Sequence, residues 1–238
     1  MKNAIIFEDE HLLIANKPSG IAAIPERNGA REKSFLGQLE KSCGQLFVVH
    51  RIDKQTSGAI CFAKNESTHR ALNILFETRA VTKEYLAVVK GKMLQTEGII
   101  NEPIAENPAR PGTMKIYAKG KEALTTYEVE ENFRHAALLR VKIHTGRMHQ
   151  IRVHLKSIGY PLLIDEIYAD TKTFFISSVI RNYKRNEEHE ERPTMSRLTL
   201  HAASLGFEHP VTQQKLQLEA PLPKDFETLL KLLRKNDI

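Results

Sequence analysis

The chain has 238 residues, 41% hydrophobic and 27% charged, which suits one large domain or two small ones around an ordinary core. Its net charge of +6 and isoelectric point near 9.2 favour an anionic partner such as RNA, without excluding a plain enzyme. Two isolated cysteines, an N-terminus without an apolar leader and no apolar run of spanning length exclude a disulfide scaffold and a helical membrane protein, so a soluble, cytoplasmic, monomeric protein is expected.

Ala4-Ile5-Ile6-Phe7 and Leu12-Leu13-Ile14-Ala15 read as strands around an acidic turn, and Lys17-Pro18-Ser19-Gly20 forces a second turn. A short helix is expected from Lys33 to Cys43, and short strands from Leu46 to Val49 and from Ala59 to Ala63, with the polar loop Arg51 to Gly58 between them. Ser67 to Phe76 carries helical spacing, with Glu66 or Ser67 as its cap. Tyr85 to Val89 is a strand, Asn101 to Gly120 a long loop or hairpin, and Ala123 to Glu130 pairs with Ala136 to His144.

Arg147 to Ile158 reads as a helix with Met148, Ile151, Leu155 and Ile158 on one face, stopped by Gly159 and Pro161. Residues 171–197 form a charged insertion, either a solvated loop or an RNA-contacting arm. Strands from Leu198 to Phe207 and Leu216 to Glu219, then a helix from Lys224 to Leu233, close the chain. Hairpin-linked short strands outnumber helices, so the expected class is α+β with a bent, mostly antiparallel central sheet.

Two segments carry chemistry. In the loop His50 to Gly58, Asp53 is flanked by Arg51 and Lys54. Such a residue either caps a surface turn or is held for function by the strands on either side. In Thr145 to His154, Gly146 marks a strand-to-helix turn, and the expected first helical turn presents Arg147, His149, Gln150 and Arg152. Arginines at the positive end of a helix macrodipole are either solvated or compensated by an anion. His144, His149 and His154 recur at intervals of five, a spacing that puts His149 and His154 on different helix faces, so no metal site is expected. Neither a glycine-rich phosphate loop nor a serine elbow is present.

Taken together, Val49-His50-Arg51-Ile52-Asp53-Lys54-Gln55-Thr56-Ser57-Gly58 resembles the aspartate motif of the RluA-type pseudouridine synthases, and Thr145 to His154 resembles the same family's arginine motif. Weaker matches follow in family order at Lys17-Pro18-Ser19-Gly20, at Lys83 to Gly91 and at Leu200 to Pro210. The resemblance implies an isomerase that acts on uridine in ribosomal or transfer RNA and needs no cofactor. It implies Asp53 as nucleophile, on either the ribose or the uracil ring, and Arg152 as its ion-pair partner. Tyr85 would pack on the target base and assist proton removal. Arg51 would fill the gap left by the flipped nucleotide, and Leu200 would line the uracil pocket.

Residues 1–238 would then form a single catalytic domain without the small N-terminal RNA-binding module of many relatives. One departure stands out: Ile164 occupies the position before Asp165 where the family usually has glycine. The competing expectations are a non-catalytic RNA-binding protein on the same fold, and a hydrolase, for which no matched second carboxylate is present.

Overall fold

The computed structural model describes residues 4–26, 29–178 and 191–236, so residues 179–190 of the charged insertion lie outside the described residues. The chain forms an α+β fold of mostly antiparallel strands, divided into two compact units. The first comprises Met1–Tyr85, Lys142–Thr145 and His201–Pro221, and the second Leu86–Val141, Gly146–Leu200 and Leu222–Ile238.

In the first unit β1 (Ile5–Glu8) and β2 (Leu12–Lys17) are antiparallel. Asp9 makes the turn between them by accepting the amides of His11 and Leu12 at 2.7 and 2.8 Å. β4 (Ser57–Ala63) pairs antiparallel with all six residues of β2, and the short β3 (Phe47–Val48) also pairs with β4. Every residue of β4 is buried, which matches its unbroken apolar run rather than an alternating one.

The two-residue period of β2 separates two cores. Leu13 and Ala15 join Ile60 and Phe62 against Phe35, Leu36 and Leu39 of α1 (Phe35–Cys43). Leu12 and Ile14 join Ala59, Cys61 and Ala63 against Leu72 of α2 (Glu66–Glu77). β11 (Leu200–Glu208) is parallel to β4 at its start and antiparallel to β12 (Lys215–Glu219).

β5 (Thr82–Lys90) gives residues 82–85 to the first unit and 86–90 to the second. In the second unit, the order β5, β10 (Ala136–Ile143), β9 (Leu124–Asn132), β6 (Glu97–Asn101) builds a sheet, and β7 (Ile104–Glu106) with β8 (Met114–Ile116) forms the hairpin expected within 101–120. β6 had no strand signal strong enough to be read from the sequence.

α3 (Gln150–Ser157) and α4 (Lys224–Lys235) complete the unit. Phe226, Leu229, Leu230 and Leu233 of α4 are buried, the spacing of a single apolar face. α3 is different: all six residues from Gln150 to Leu155 are buried, polar ones included.

Candidate active site

The Asp53 loop is built by its two ends. Its leading partner is Lys17, a fully buried lysine at the end of β2, whose ammonium donates to the carbonyls of Pro18 (2.9 Å), Ile21 (2.7 Å) and Lys54 (3.0 Å). The Gly20 amide donates to the same Lys54 carbonyl at 2.9 Å, and Ser19 Oγ donates to the Gln55 carbonyl at 2.6 Å. The turn Lys17-Pro18-Ser19-Gly20 is therefore a clamp on the residues that follow Asp53. A buried ammonium is tolerated only when its protons are satisfied, and here backbone oxygens satisfy them.

The loop's far end is fixed where β4 meets β11. Ser57 Oγ and the buried His201 Nδ1 lie 2.9 Å apart, and His201 Nε2 lies 3.1 Å from the Ala220 carbonyl. At Gly58, φ is +117°, and a Cβ would stand 2.1 Å from the Ala202 carbonyl oxygen. Glycine is required there on both counts. Inside the loop the Thr56 amide donates to the Asp53 carbonyl at 3.1 Å, while the Ile52 side chain is buried and anchors the segment. Arg51 and Lys54 are exposed, and Asp53 is half-buried between them. Lys54 pairs with Glu26 at 3.1 Å.

His50 closes the loop's other flank. Its Nε2 accepts the Cys61 amide at 2.9 Å, and its ring stacks on Phe76 with centroids 4.6 Å apart. Burial, together with the charge of Lys83, drives its pKa down to about 3, so the imidazole stays neutral and remains an acceptor. Tyr85 is buried, and its phenol pKa is raised, first by burial and then by the negative charge of Asp53. Tyr85 is thus a neutral phenol whose surroundings include Asp53. A phenol in that state is an aromatic surface and a hydrogen-bond donor rather than a phenolate base.

Arg152 and Leu200 belong to the second unit, and both are buried. The helix that carries Arg152 starts later than its sequence spacing indicates. Residues 147–149 form a turn, in which the Arg147 amide donates to Gln150 Oε1 at 3.0 Å and Arg147 Nε donates to the Glu122 carbonyl at 2.8 Å. His149 is the N-cap residue, in left-handed backbone conformation at φ 55°. Such a conformation is uncommon outside glycine, asparagine, aspartate and histidine, which is why an apolar-period reading missed the boundary.

Arg152 falls in the first turn of α3, and an anion does compensate it there. Its Nε donates to Asp165 Oδ2 at 2.7 Å and its Nη2 to Asp165 Oδ1 at 2.8 Å, a side-on fork. The sequence marked Asp165 as a family position, but not its pairing with Arg152. Its available signal was a single acid ending the apolar run Leu162-Leu163-Ile164. The histidines fall into separate networks: His149 Nδ1 lies 2.8 Å from Tyr168 Oη, whereas His154 lies between Thr125 Oγ1 and the Glu102 carbonyl. Beside Tyr168 opens a cleft of about 310 Å³, to which Arg110, Lys115 and Lys156 contribute charge and no carboxylate contributes a wall.

Similarity to known proteins agrees with the family that the motifs resemble. Residues 11–157 match the family model described as RNA pseudouridylate synthase. Over 99% of its length the chain is 35% identical to a ribosomal large subunit pseudouridine synthase C of Yersinia pestis, covering 71% of that protein. It is also 35% identical to an uncharacterized RNA pseudouridine synthase of Bacillus subtilis (strain 168), over 98% of this chain and 73% of that one. The fold matches a solved human RNA pseudouridylate synthase domain-containing protein with a TM-score of 0.73 at 23% identity, covering 98% of this chain and 94% of that one. A second human protein of that description gives 0.69 at 24% identity, over 97% and 94% of the two chains. The chain belongs to the RNA pseudouridylate synthases of the RluA type, a family of isomerases.

Proposed function

We propose that this chain converts particular uridines of ribosomal or transfer RNA to pseudouridine, with Asp53 as the nucleophile, inside one catalytic domain and in the cytoplasm. The observation that carries the reading is the Asp53 loop itself. A carboxylate is presented on a segment held at both ends, next to a buried neutral tyrosine that senses its charge.

In the reaction the N1–C1′ bond of uridine breaks, the base turns, and a C5–C1′ bond forms. A proton leaves C5 and one joins N1, so the product is an isomer and no co-reactant is consumed. A stacked uridine offers neither its anomeric carbon nor its ring face, and flipping it out costs a few kcal/mol. Arg51 is exposed at the loop and suited to fill the vacated stack, and Tyr85 provides the surface for the extruded base. Leu200 contributes apolar lining. The pairing of Arg152 with Asp53 rests on the motif resemblance. Arg110, Lys115 and Lys156 supply sequence-independent phosphate contacts.

The test uses total RNA from cells that lack the gene, incubated with wild-type protein or with Asp53→Asn. Site-resolved mapping should show one or a few new pseudouridines with wild type and none with the variant. Absence of any new site with wild type overturns the activity. Equal modification by Asp53→Asn overturns the nucleophile.

A further inference from the structure

We propose that Asp165 is a positioning residue for Arg152, and that Tyr168 is the second wall of the same cradle. The inference rests on the reading of Arg152 as a catalytic-site arginine and adds what holds it in place.

The geometry is built outward from the backbone. Asp165 Oδ1 accepts the amides of Ile167 and Tyr168 at 2.9 and 3.0 Å, so the carboxylate is fixed by its own turn before it meets the arginine. Both oxygens then take the Nε and Nη2 edge of Arg152. That choice of edge orients the remaining N–H groups on Nη1 away from Asp165. The Tyr168 ring lies 4.9 Å from the guanidinium carbon and supplies a cation–π face. Tyr168 is itself held, since its hydroxyl accepts the Met114 amide at 2.7 Å and lies 2.8 Å from His149 Nδ1. The guanidinium is thus fixed in plane by the fork and above or below that plane by the ring.

Stability alone is a poor reason for this construction. A buried ion pair recovers its desolvation cost only with good geometry, and an apolar pair of similar volume commonly does as well or better. What the fork provides and an apolar pair cannot is one orientation of a planar cation. Asp165 stays charged for the purpose. Burial pushes its pKa up, but the Arg152 fork and the two amides outweigh that and leave it below the usual value.

The experiment is a single-turnover measurement of pseudouridine formation in total RNA from cells that lack the gene, with enzyme in excess. It compares wild type, Asp165→Asn, Asp165→Glu, Arg152→Ala and the Arg152→Ala/Asp165→Asn double variant. A misplaced arginine lowers the rate constant of the folded fraction. A merely structural loss raises the total enzyme needed to saturate the RNA and leaves the saturated rate constant unchanged. The expected result for Asp165→Asn is a rate constant reduced about 10- to 100-fold with RNA affinity within about two-fold of wild type. The double variant should be no slower than Arg152→Ala.

Asp165→Glu keeps the charge and shifts the fork by one methylene. It should fold and still be slowed, which keeps the inference testable if Asp165→Asn does not fold. A wild-type rate constant in Asp165→Asn or Asp165→Glu beside a slow Arg152→Ala overturns the positioning role alone. A wild-type rate constant in Arg152→Ala overturns the underlying reading as well.

Discussion

At the scale of single residues, the Asp53 loop depends on groups outside it. Lys17 is the plainest case. Lys17→Met removes the donor to the Pro18, Ile21 and Lys54 carbonyls, of which only that of Lys54 has a second donor, Gly20, among the bonds described. Unmet buried acceptors of this kind cost about 1–3 kcal/mol each. We expect a loss of about 3 kcal/mol in urea unfolding and a drop in activity from a loosened Asp53 loop, and unchanged values for both contradict the clamp. Gly58→Ala should cost about 2–3 kcal/mol, because the added methyl meets the Ala202 carbonyl in a backbone region unfavourable to alanine. A thermal melt within a degree of wild type is the contrary outcome.

Tyr85 carries a prediction about pH. Its raised pKa keeps the phenol neutral across the working range. Wild type and Tyr85→Phe should therefore share the shape of their pH–rate profiles from about pH 6 to 9, whatever their absolute rates. A rate that rises with pH in this range only in wild type would assign Tyr85 a base role.

At the scale of elements, the sequence was most informative where periodicity and burial agree. The all-apolar β4, the alternating faces of β2 and the stripe of α4 stand where their patterns place them. Ends were read less well, because they are decided by local hydrogen bonds. The cap of α2 is Asn65, not Glu66 or Ser67, and its side chain accepts the Thr68 amide at 2.9 Å. Asn65→Ala should cost about 1 kcal/mol, measurable by denaturant unfolding, whereas Ser67→Ala should cost far less.

At α3 the error was larger and more instructive. The expected helix took in Arg147 and His149, yet these form a separate turn with His149 left-handed. That turn places Arg152, not Arg147, in the first helical turn. The suspicion that an anion compensates the arginines was sound, but the partner described in the structure lies thirteen positions on at Asp165, beyond any helical or strand period. The roles proposed for Asp53, Tyr85, Arg51 and Leu200 come from motif order. Their physical supports, Lys17 and His201, were legible only as a turn and as part of a weak motif.

At the scale of the whole molecule, charge sets two responses. His50, His144 and His154 all have lowered pKa values, chiefly through burial. Each takes up a proton less readily in the fold than in the unfolded chain, whose histidines protonate below about pH 6.5, so stability falls as pH drops through that value. The carboxyls of Asp9, Asp165 and Asp225 are also lowered, and their contribution is present above about pH 4 and lost as pH falls through their folded values. Unfolding free energy should therefore decline in two stages on acidification. A curve flat from about pH 7 to 5 contradicts the histidine part.

The net charge of +6 and the basic cleft predict salt-sensitive RNA binding. For about three neutralised phosphates on a duplex, a four-fold rise in salt should weaken binding about 40-fold.

The central claim is isomerisation of uridine by way of Asp53, and RNA carrying tritium at C5 of its uridines tests it most directly. The C5 proton must leave when the C5–C1′ bond forms. Wild-type protein should release tritium to water in step with the number of target sites, without liberating free uracil, and Asp53→Asn should release none. Free uracil, or no tritium release from RNA that wild type binds, would contradict the account.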